Sequence, residues 1–344
     1  MDEDFKDRRA LTIAEVAAIA GVSTATVSRA LSAPAKLRAS TLARVTDAVR
    51  RTGYTPNIAA RTLRGRRTMV VLVVVPDIAN PFFSDVLRGI DETLSERGYG
   101  LLIGNLGHAP EKPAQIVDIV QAGQVDGVIL LNGIIPQDDG RSLETIGVPI
   151  VAVCETISGA RFPQVEAQNR EAARAAVAHL VALGHRAIAY LAGPEGNILE
   201  RERRAGFLEG LKHAGIPRRA ARFYPGDFTF AAGIAAAHEF LAEAPRPTAL
   251  FAANDEMAIG FLKTVRSNNI AVPKELSIVG FDGIDFADFV EPTLTTFRQP
   301  RRALGAAGAA LLIKLMTGLP IPKAERHQRF PVPLVQRAST CLAP

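Results

Sequence analysis

The sequence predicts a small all-α module followed by an α/β core made of two doubly wound parallel-sheet subdomains. Three observations carry that prediction. Positive charge is concentrated in residues 1–67; two short amphipathic segments broken by Gly21 lie within that stretch; and from Met69 onward apolar runs alternate with amphipathic ones, twice over. At 344 residues the chain exceeds what one ordinary core accommodates, so several compact units are expected.

The charge separates sharply. Residues 1–67 hold 13 Lys and Arg against 6 Asp and Glu, a net of +7, whereas residues 68–344 hold 27 against 29. Between residues 8 and 67 the acids are Glu15 and Asp47 alone. A positive field confined to one small module is what phosphate binding requires, although a solvated basic tail would look the same on charge alone.

Residues 12–51 read as three short helices. Ile13, Val16, Ala17 and Ala20 are spaced for one buried face, with Thr12 as N-cap, and Gly21 ends the run. After Gly21-Val22-Ser23, the stretch TATVSRAL turns Val27, Ala30 and Leu31 inward and leaves Thr24, Ala25, Ser28 and Arg29 outside. Two helices joined by a tight glycine turn form a helix-turn-helix. A third helix, about Ser40 to Arg51, contributes Leu42, Val45, Ala48 and Val49.

From Met69 the strands expected are MVVLVVV, LLIG, GVILL and PIVAV, with helices at 82–97 and 111–122 between them. After a polar stretch at Gln164 to Asn169 the alternation restarts. A helix at 170–183 precedes AIAYL; a helix at 201–214 follows, then a strand near Phe223, TALFAA and LSIVGF. Repeated βαβ units imply parallel sheets, and a cleft between the two halves would take a ligand beyond the carboxyl ends of the strands.

Several function classes are set aside. No apolar run approaches the roughly 18 residues of a membrane span, and MDEDFKDRRALTIAEV lacks a signal-peptide stretch, so a cytoplasmic protein is expected. Cys154 and Cys341 have no metal-ligand spacing, which predicts neither a disulfide nor a metal site, and no cofactor. GxGxxG, Walker, HExxH and GxSxG motifs are missing, and the six histidines are scattered, which argues against an enzyme. A secreted solute-binding protein would share the core but not the helix-turn-helix.

TIAEVAAIAGVSTATVSRAL, GYTPNIAARTLRGRRT, VVVPDIANPFFSDVLRGI, ALGHRAIAYLAGP, FAANDEMAIGFL and VPKELSIVGFDGIDFADFVEPTLTTFRQP, in that order, closely resemble the lactose-repressor (LacI/GalR) family of transcriptional regulators over essentially the whole chain. STATVSRAL, VPDIANPFFS, GDFTF and EPTLTTFRQP are most similar to its cytidine-repressor branch. The resemblance implies a helix-turn-helix DNA-binding domain at 11–54, a hinge helix or linker at 55–68, and a periplasmic-binding-protein-like core at 69–344. Within that core it places an N-subdomain at about 69–167 and 298–326 and a C-subdomain at about 168–297 and 327–344. It further implies a homodimer on a palindromic double-stranded operator, associated with the nucleoid when bound, and a small-molecule effector.

On the DNA side the resemblance puts Thr24, Ala25 and Arg29 against base edges. An arginine can bond O6 and N7 of guanine together, worth about 1–3 kcal/mol of discrimination, while phosphate contact is its plainer role. Thr12, Ser23, Thr26 and Ser28 complete the expected DNA-facing set. In the hinge, Asn57, Ala60 and Leu63 are implied contacts, Leu63 as an apolar wedge in the minor groove. Where relatives have a serine capping the third helix, this chain has Arg38; either Ser40 serves as a shifted cap or Arg38 meets a phosphate.

For the effector the resemblance carries over Arg203, Asn254, Asp282 and Gln299 as the polar set and Phe82 and Phe83 as a stacking surface on the opposite wall. Such a set suits a hydroxyl-rich ring. Asp282 and Asn254 could instead cap loops, and Phe82 could be core. Cys154 and Glu155 follow PIVAV where sugar-binding relatives often have Asp, and Gln168-Asn169 replaces a familiar Asp-Asn pair. A sugar or glycoside effector that releases the repressor is the expectation, with a nucleoside as the alternative.

Overall fold

Short apolar-periodic segments with good caps nucleate the N-terminal elements. In the computed structural model, which describes residues 12–32, 34–54, 67–107 and 111–344, the first helix is Ile13–Ala20. Thr12 caps it: Thr12 Oγ1 accepts from Glu15 N at 3.4 Å, and Thr12 N donates to Glu15 Oε2 at 2.6 Å, a reciprocal box that satisfies free donors at both residues. Gly21 ends the helix at φ +61°, a left-handed conformation that glycine adopts at little cost. Helices Thr24–Ser32 and Ala39–Thr52 follow, and Val16, Ala17, Ala20, Val27, Ala30, Val45 and Ala48 form their common core. One inward assignment is corrected: Leu31 is 39% exposed, because the small core closes over Val27 and Ala30 and leaves the helix's last turn at its rim.

The chain divides into two compact units, Met1–Thr68 and Met69–Pro344. The larger unit contains two six-stranded sheets. The first is wholly parallel and runs, edge to edge, His327–Phe330, Gln164–Ala167, Ile150–Cys154, Gly127–Leu130, Val70–Val75 and Gly100–Asn105. The second runs Leu334–Val335, Thr295–Arg298, Ser277–Asp282, Ala249–Ala252, Ile188–Leu191 and Arg222–Tyr224, parallel except for its first pair. Central strands such as Val70–Val75 and Ser277–Asp282 are buried on both faces, which is why they read as unbroken apolar runs.

The subdomain boundary expected at 326 needs moving. His327–Phe330 pairs in register with Gln164–Ala167, so it extends the first sheet, and the last crossing falls between Phe330 and Leu334. The polar stretch from Gln164 is likewise a strand. Val165 and Ala167 are buried while Gln164 and Glu166 alternate outward, four residues being too short a run to show that period in sequence.

Each sheet reverses its order of growth once. In the first, the chain leaves Val70–Val75 for one edge and returns on the other side at Gly127–Leu130; in the second, Ile188–Leu191 and Ala249–Ala252 play the same parts. Ligand sites in doubly wound sheets lie at such switch points, outside the carboxyl ends of the strands. The loops that begin at Pro76, Leu131, Ala192 and Ala253 leave the strands at these two switch points.

Candidate functional site

The second helix of the small unit exposes Thr24, Ala25 and Arg29, with Thr26 and Ser28 half-buried. Ser23 accepts at Oγ from Thr26 N at 3.2 Å, so it caps this helix, as Thr12 caps the first. Arg29 Nε donates to the Ala25 carbonyl one turn back at 3.3 Å, which lays the side chain along the exposed face. Arg38 occupies the N-cap position of helix Ala39–Thr52 without any side-chain cap bond, and Ser40 lies inside that helix rather than capping it. Asn57, Ala60 and Leu63 lie outside the described residues.

In the large unit Arg203 is 1% exposed, carried on helix Ile198–His213. Its Nε donates to Asn169 Oδ1 at 2.9 Å and its Nη1 to the Ala253 carbonyl at 2.5 Å; Nη2 lies 3.4 Å from Asp282 Oδ1. The guanidinium stacks 3.9 Å over Phe281. Asp282 Oδ1 also accepts from Gln299 Nε2 at 2.7 Å, and Gln299 N donates to the Asp282 carbonyl at 3.0 Å. Burial pushes the Asp282 carboxyl above its ordinary range, and Arg203, Gln299 and Arg301 hold it back down. Arg203, Asp282 and Gln299 thus form one bonded cluster.

Three non-glycine residues here have positive φ: Cys154 at 72°, Phe228 at 72° and Asp282 at 112°. Such conformations cost of order 1–3 kcal/mol each and persist where the surroundings overdetermine them, typically at functional sites. Cys154 is buried, and that burial raises its thiol well above the usual range, which makes it inert. Glu155 reaches the opposite subdomain. Its oxygens accept from Asn197 Nδ2 at 3.2 Å each, and Oε2 accepts from Gly133 N at 2.8 Å. Asn197 Oδ1 meanwhile caps the helix that carries Arg203, accepting from Leu199 N at 2.7 Å.

Three sequence candidates have other commitments. Asn254 caps helix Asp255–Ser267, its Oδ1 accepting from Met257 N at 3.0 Å, and its Nδ2 donates to the Phe228 carbonyl at 2.9 Å. Phe82 and Phe83 are buried in the core cluster, edge to face with ring centres 5.2 Å apart.

The structure adds residues that the sequence reading passed over. Asp255, fully buried, accepts from Thr296 Oγ1 at 2.6 Å and from Ile284 N at 2.9 Å; a side chain at Gly280 would strike its Oδ1. Burial and the nearby Asp282 carboxylate push Asp255 up to about 8. Arg301 bridges the subdomains, its Nη2 lying 2.8 Å from Asp85 and 3.0 Å from Asp285 and donating to the Gly283 carbonyl at 3.2 Å. Position at a strand's carboxyl end was the available signal for Asp255, which follows Ala249–Ala252 almost directly. Arg301 had no such signal.

Residues 12–57 match the model of the lacI family of bacterial regulatory proteins, and residues 177–340 match that of a periplasmic binding protein-like domain. The HTH-type transcriptional repressor CytR of Escherichia coli (strain K12) is 38% identical over 324 residues, 93% of this chain and 94% of that one. Catabolite control protein A of Priestia megaterium is 34% identical, covering 89% and 92%. Among solved structures, the lac repressor dimer bound to operator and the anti-inducer ONPF superposes with a TM-score of 0.84 at 28% identity, covering 97% and 100%. A transcriptional regulator CelR–cellobiose complex gives 0.72 at 31% identity, covering 96% and 99%.

Proposed function

The chain belongs to the LacI family of bacterial regulatory proteins, a transcription regulator and not an enzyme, and from that premise we propose how it reads DNA and what releases it. A dimer sets two copies of helix Thr24–Ser32 in successive major grooves of a palindromic operator, with Thr24, Ala25 and Arg29 toward the bases. The exposed polar face around Arg29 is the observation that carries this reading. Thr12, Ser23, Thr26 and Ser28 lie toward the backbone. The uncapped start of helix Ala39–Thr52, with Arg38 beside it, suits a phosphate, since its free N–H groups and dipole both favour an anion. Asn57, Ala60 and Leu63 supply the minor-groove contacts. The protein works in the cytoplasm, on the nucleoid when bound.

The effector occupies the cleft of residues 69–344, at the bonded cluster of Arg203, Asp282 and Gln299, with Cys154 and Glu155 on the facing subdomain and Asn254, Phe82 and Phe83 shaping the walls. A sugar or glycoside fits this set, because fixed acceptors take ring hydroxyls; the similar CelR structure holds cellobiose. The likeness to CytR and its branch supports a nucleoside as second reading. Ligand binding releases the operator. Gel shift on the chain's own promoter region tests the whole reading. The full-length protein retards the DNA, a chain starting at Met69 does not, and an effector weakens the complex. Equal retardation by both chains would refute it.

A further inference from the structure

Resting on the effector cleft just described, we propose that Glu256 is a contact residue of that cleft and that it confines the effector to uncharged or cationic molecules bearing a hydrogen-bond donor. Glu256 occupies the first turn of helix Asp255–Ser267, at the carboxyl end of strand Ala249–Ala252, and is only 7% exposed. Its Oε1 is shielded from solvent and receives no hydrogen bond from the protein. A buried carboxylate oxygen left without a donor is costly and rare in a folded chain, so such an atom in a cleft marks a place that a ligand completes.

The electrostatic neighbours of the side chain come from both subdomains. The carboxylates of Asp282, Asp77 and Asp227 all act on it. Asp282 and Asp227 belong to its own subdomain, but Asp77 lies just beyond strand Val70–Val75 of the other one. Burial and these three carboxylates push the Glu256 carboxyl up to about 7.

The facing wall offers a second acceptor of the same kind. Asn132, just beyond strand Gly127–Leu130, is buried; its Nδ2 donates to the Ile134 carbonyl at 3.0 Å while its Oδ1 receives nothing. A side chain added at the neighbouring Gly133 would crowd Ile198 of the opposite subdomain. Cations near Asp282 do not offset these acceptors, because Arg203 is engaged by Asn169, Ala253 and Asp282, and Arg301 by Asp85, Asp285 and Gly283. The cleft therefore asks for donors, and a phosphate or carboxylate brought to Glu256 would meet carboxylates on both walls.

Matched neutral and anionic probes test this on the full-length chain by isothermal titration at pH 8, above the Glu256 value of about 7. The pairs are D-ribose with D-ribose 5-phosphate, cellobiose with cellobionic acid, and cytidine with cytidine 5′-monophosphate. The expected result is that the neutral member of one pair binds and its anionic partner is at least tenfold weaker. Glu256→Ala should weaken the neutral probe tenfold or more. Glu256→Gln, which keeps an acceptor but loses the charge, should hold the neutral probe within threefold and narrow the gap to the anion at least threefold. If the alanine variant does not fold, the glutamine variant decides. An anion that binds as well as its neutral partner, or a Glu256→Gln variant with an unchanged gap, overturns the proposal. Silence from every pair while operator binding persists overturns it together with the effector reading and leaves the DNA reading standing.

Discussion

Replacing Arg203 by methionine should destabilise the core heavily, and the structure supplies the size of the effect. The substitution keeps the side chain's length and apolar stem but removes the guanidinium that faces Asp282 Oδ1 at 3.4 Å. Asp282 is 6% exposed, so the variant leaves a buried carboxylate without its cation. Breaking one side of a buried pair costs about 3–5 kcal/mol. The acceptors Asn169 Oδ1 and the Ala253 carbonyl also lose a donor, which keeps the total at the upper end of that range. At about 2–4 °C per kcal/mol for a domain of this size, the core transition should fall by roughly 8–20 °C. The loss should also depend on pH. Burial already raises the Asp282 carboxyl and Arg203 opposes that rise, so without Arg203 it climbs further. A carboxyl whose folded pKa exceeds its unfolded one stabilises the fold at low pH and loses that contribution as pH rises toward the folded value. The gap between variant and wild type should therefore be wider at pH 8 than at pH 5. Adding Asp282→Asn removes the stranded charge and should recover about 1–3 kcal/mol. Differential scanning calorimetry of the full-length protein reads all three effects. A variant that melts within 2 °C of wild type, or a gap that is flat in pH, would refute the assignment of Arg203 as the cluster's central cation.

Three further outcomes are expected. Arg29→Ala should relax sequence choice at one symmetric operator position by about 1–3 kcal/mol, scored against single-base operator variants; uniform weakening on every sequence would reassign Arg29 to a phosphate. Asp255, raised to about 8, is protonated in the fold over much of the range in which the unfolded chain has already ionised. Its contribution to stability thus declines between about pH 4 and 8, by up to roughly 1.4 kcal/mol per pH unit. Asp255→Asn should flatten that slope in urea titrations, and an unchanged slope would contradict the account. Arg301→Ala cuts the link from Asp85 on one subdomain to Gly283 and Asp285 on the other, and should speed amide exchange across Asp285–Asp288 by tenfold or more; exchange equal to wild type would show that the bridge is idle.

What the sequence displays and what it hides divide along one physical line. Features set by neighbours along the chain were legible: the Thr12 and Gly21 boundaries of the first helix, the burial of Val27 and Ala30, and apolar strands such as Val70–Val75. Features set by partners far away in sequence were not. Gln164–Ala167 is a strand because Ile150–Cys154 and His327–Phe330 flank it, and nothing within its four residues announces that. The same holds for the cleft. Arg203, Asp282 and Gln299 could be carried over from a family resemblance, but Asp255 and Glu256 stand beside Asn254 in one polar run, and only the fold separates their roles. Asn254 turns its amide to the helix end and the Phe228 carbonyl, Asp255 turns inward to Thr296 and Ile284, and Glu256 keeps an unfilled oxygen.

That separation bears on how ligand binding can move the core. Glu155 bonds Asn197 across the cleft, and Asn197 is at once the N-cap of the helix that carries Arg203. A ligand that draws Glu155 away from Asn197, or takes its place, acts on the start of that helix and not only on the cleft wall. Arg301 ties the same two subdomains at a second point, through Asp85 and Asp285. Closure is thus opposed or favoured by two polar links whose partners differ, one able to exchange with a bound donor and the other held entirely among protein groups. A ligand shifts such an equilibrium only through its different affinity for the two arrangements, and the Glu155–Asn197 link is where that difference can arise. Substituting Glu155 should therefore alter the response to ligand more than the affinity for it, whereas substituting Asp282 should do the reverse.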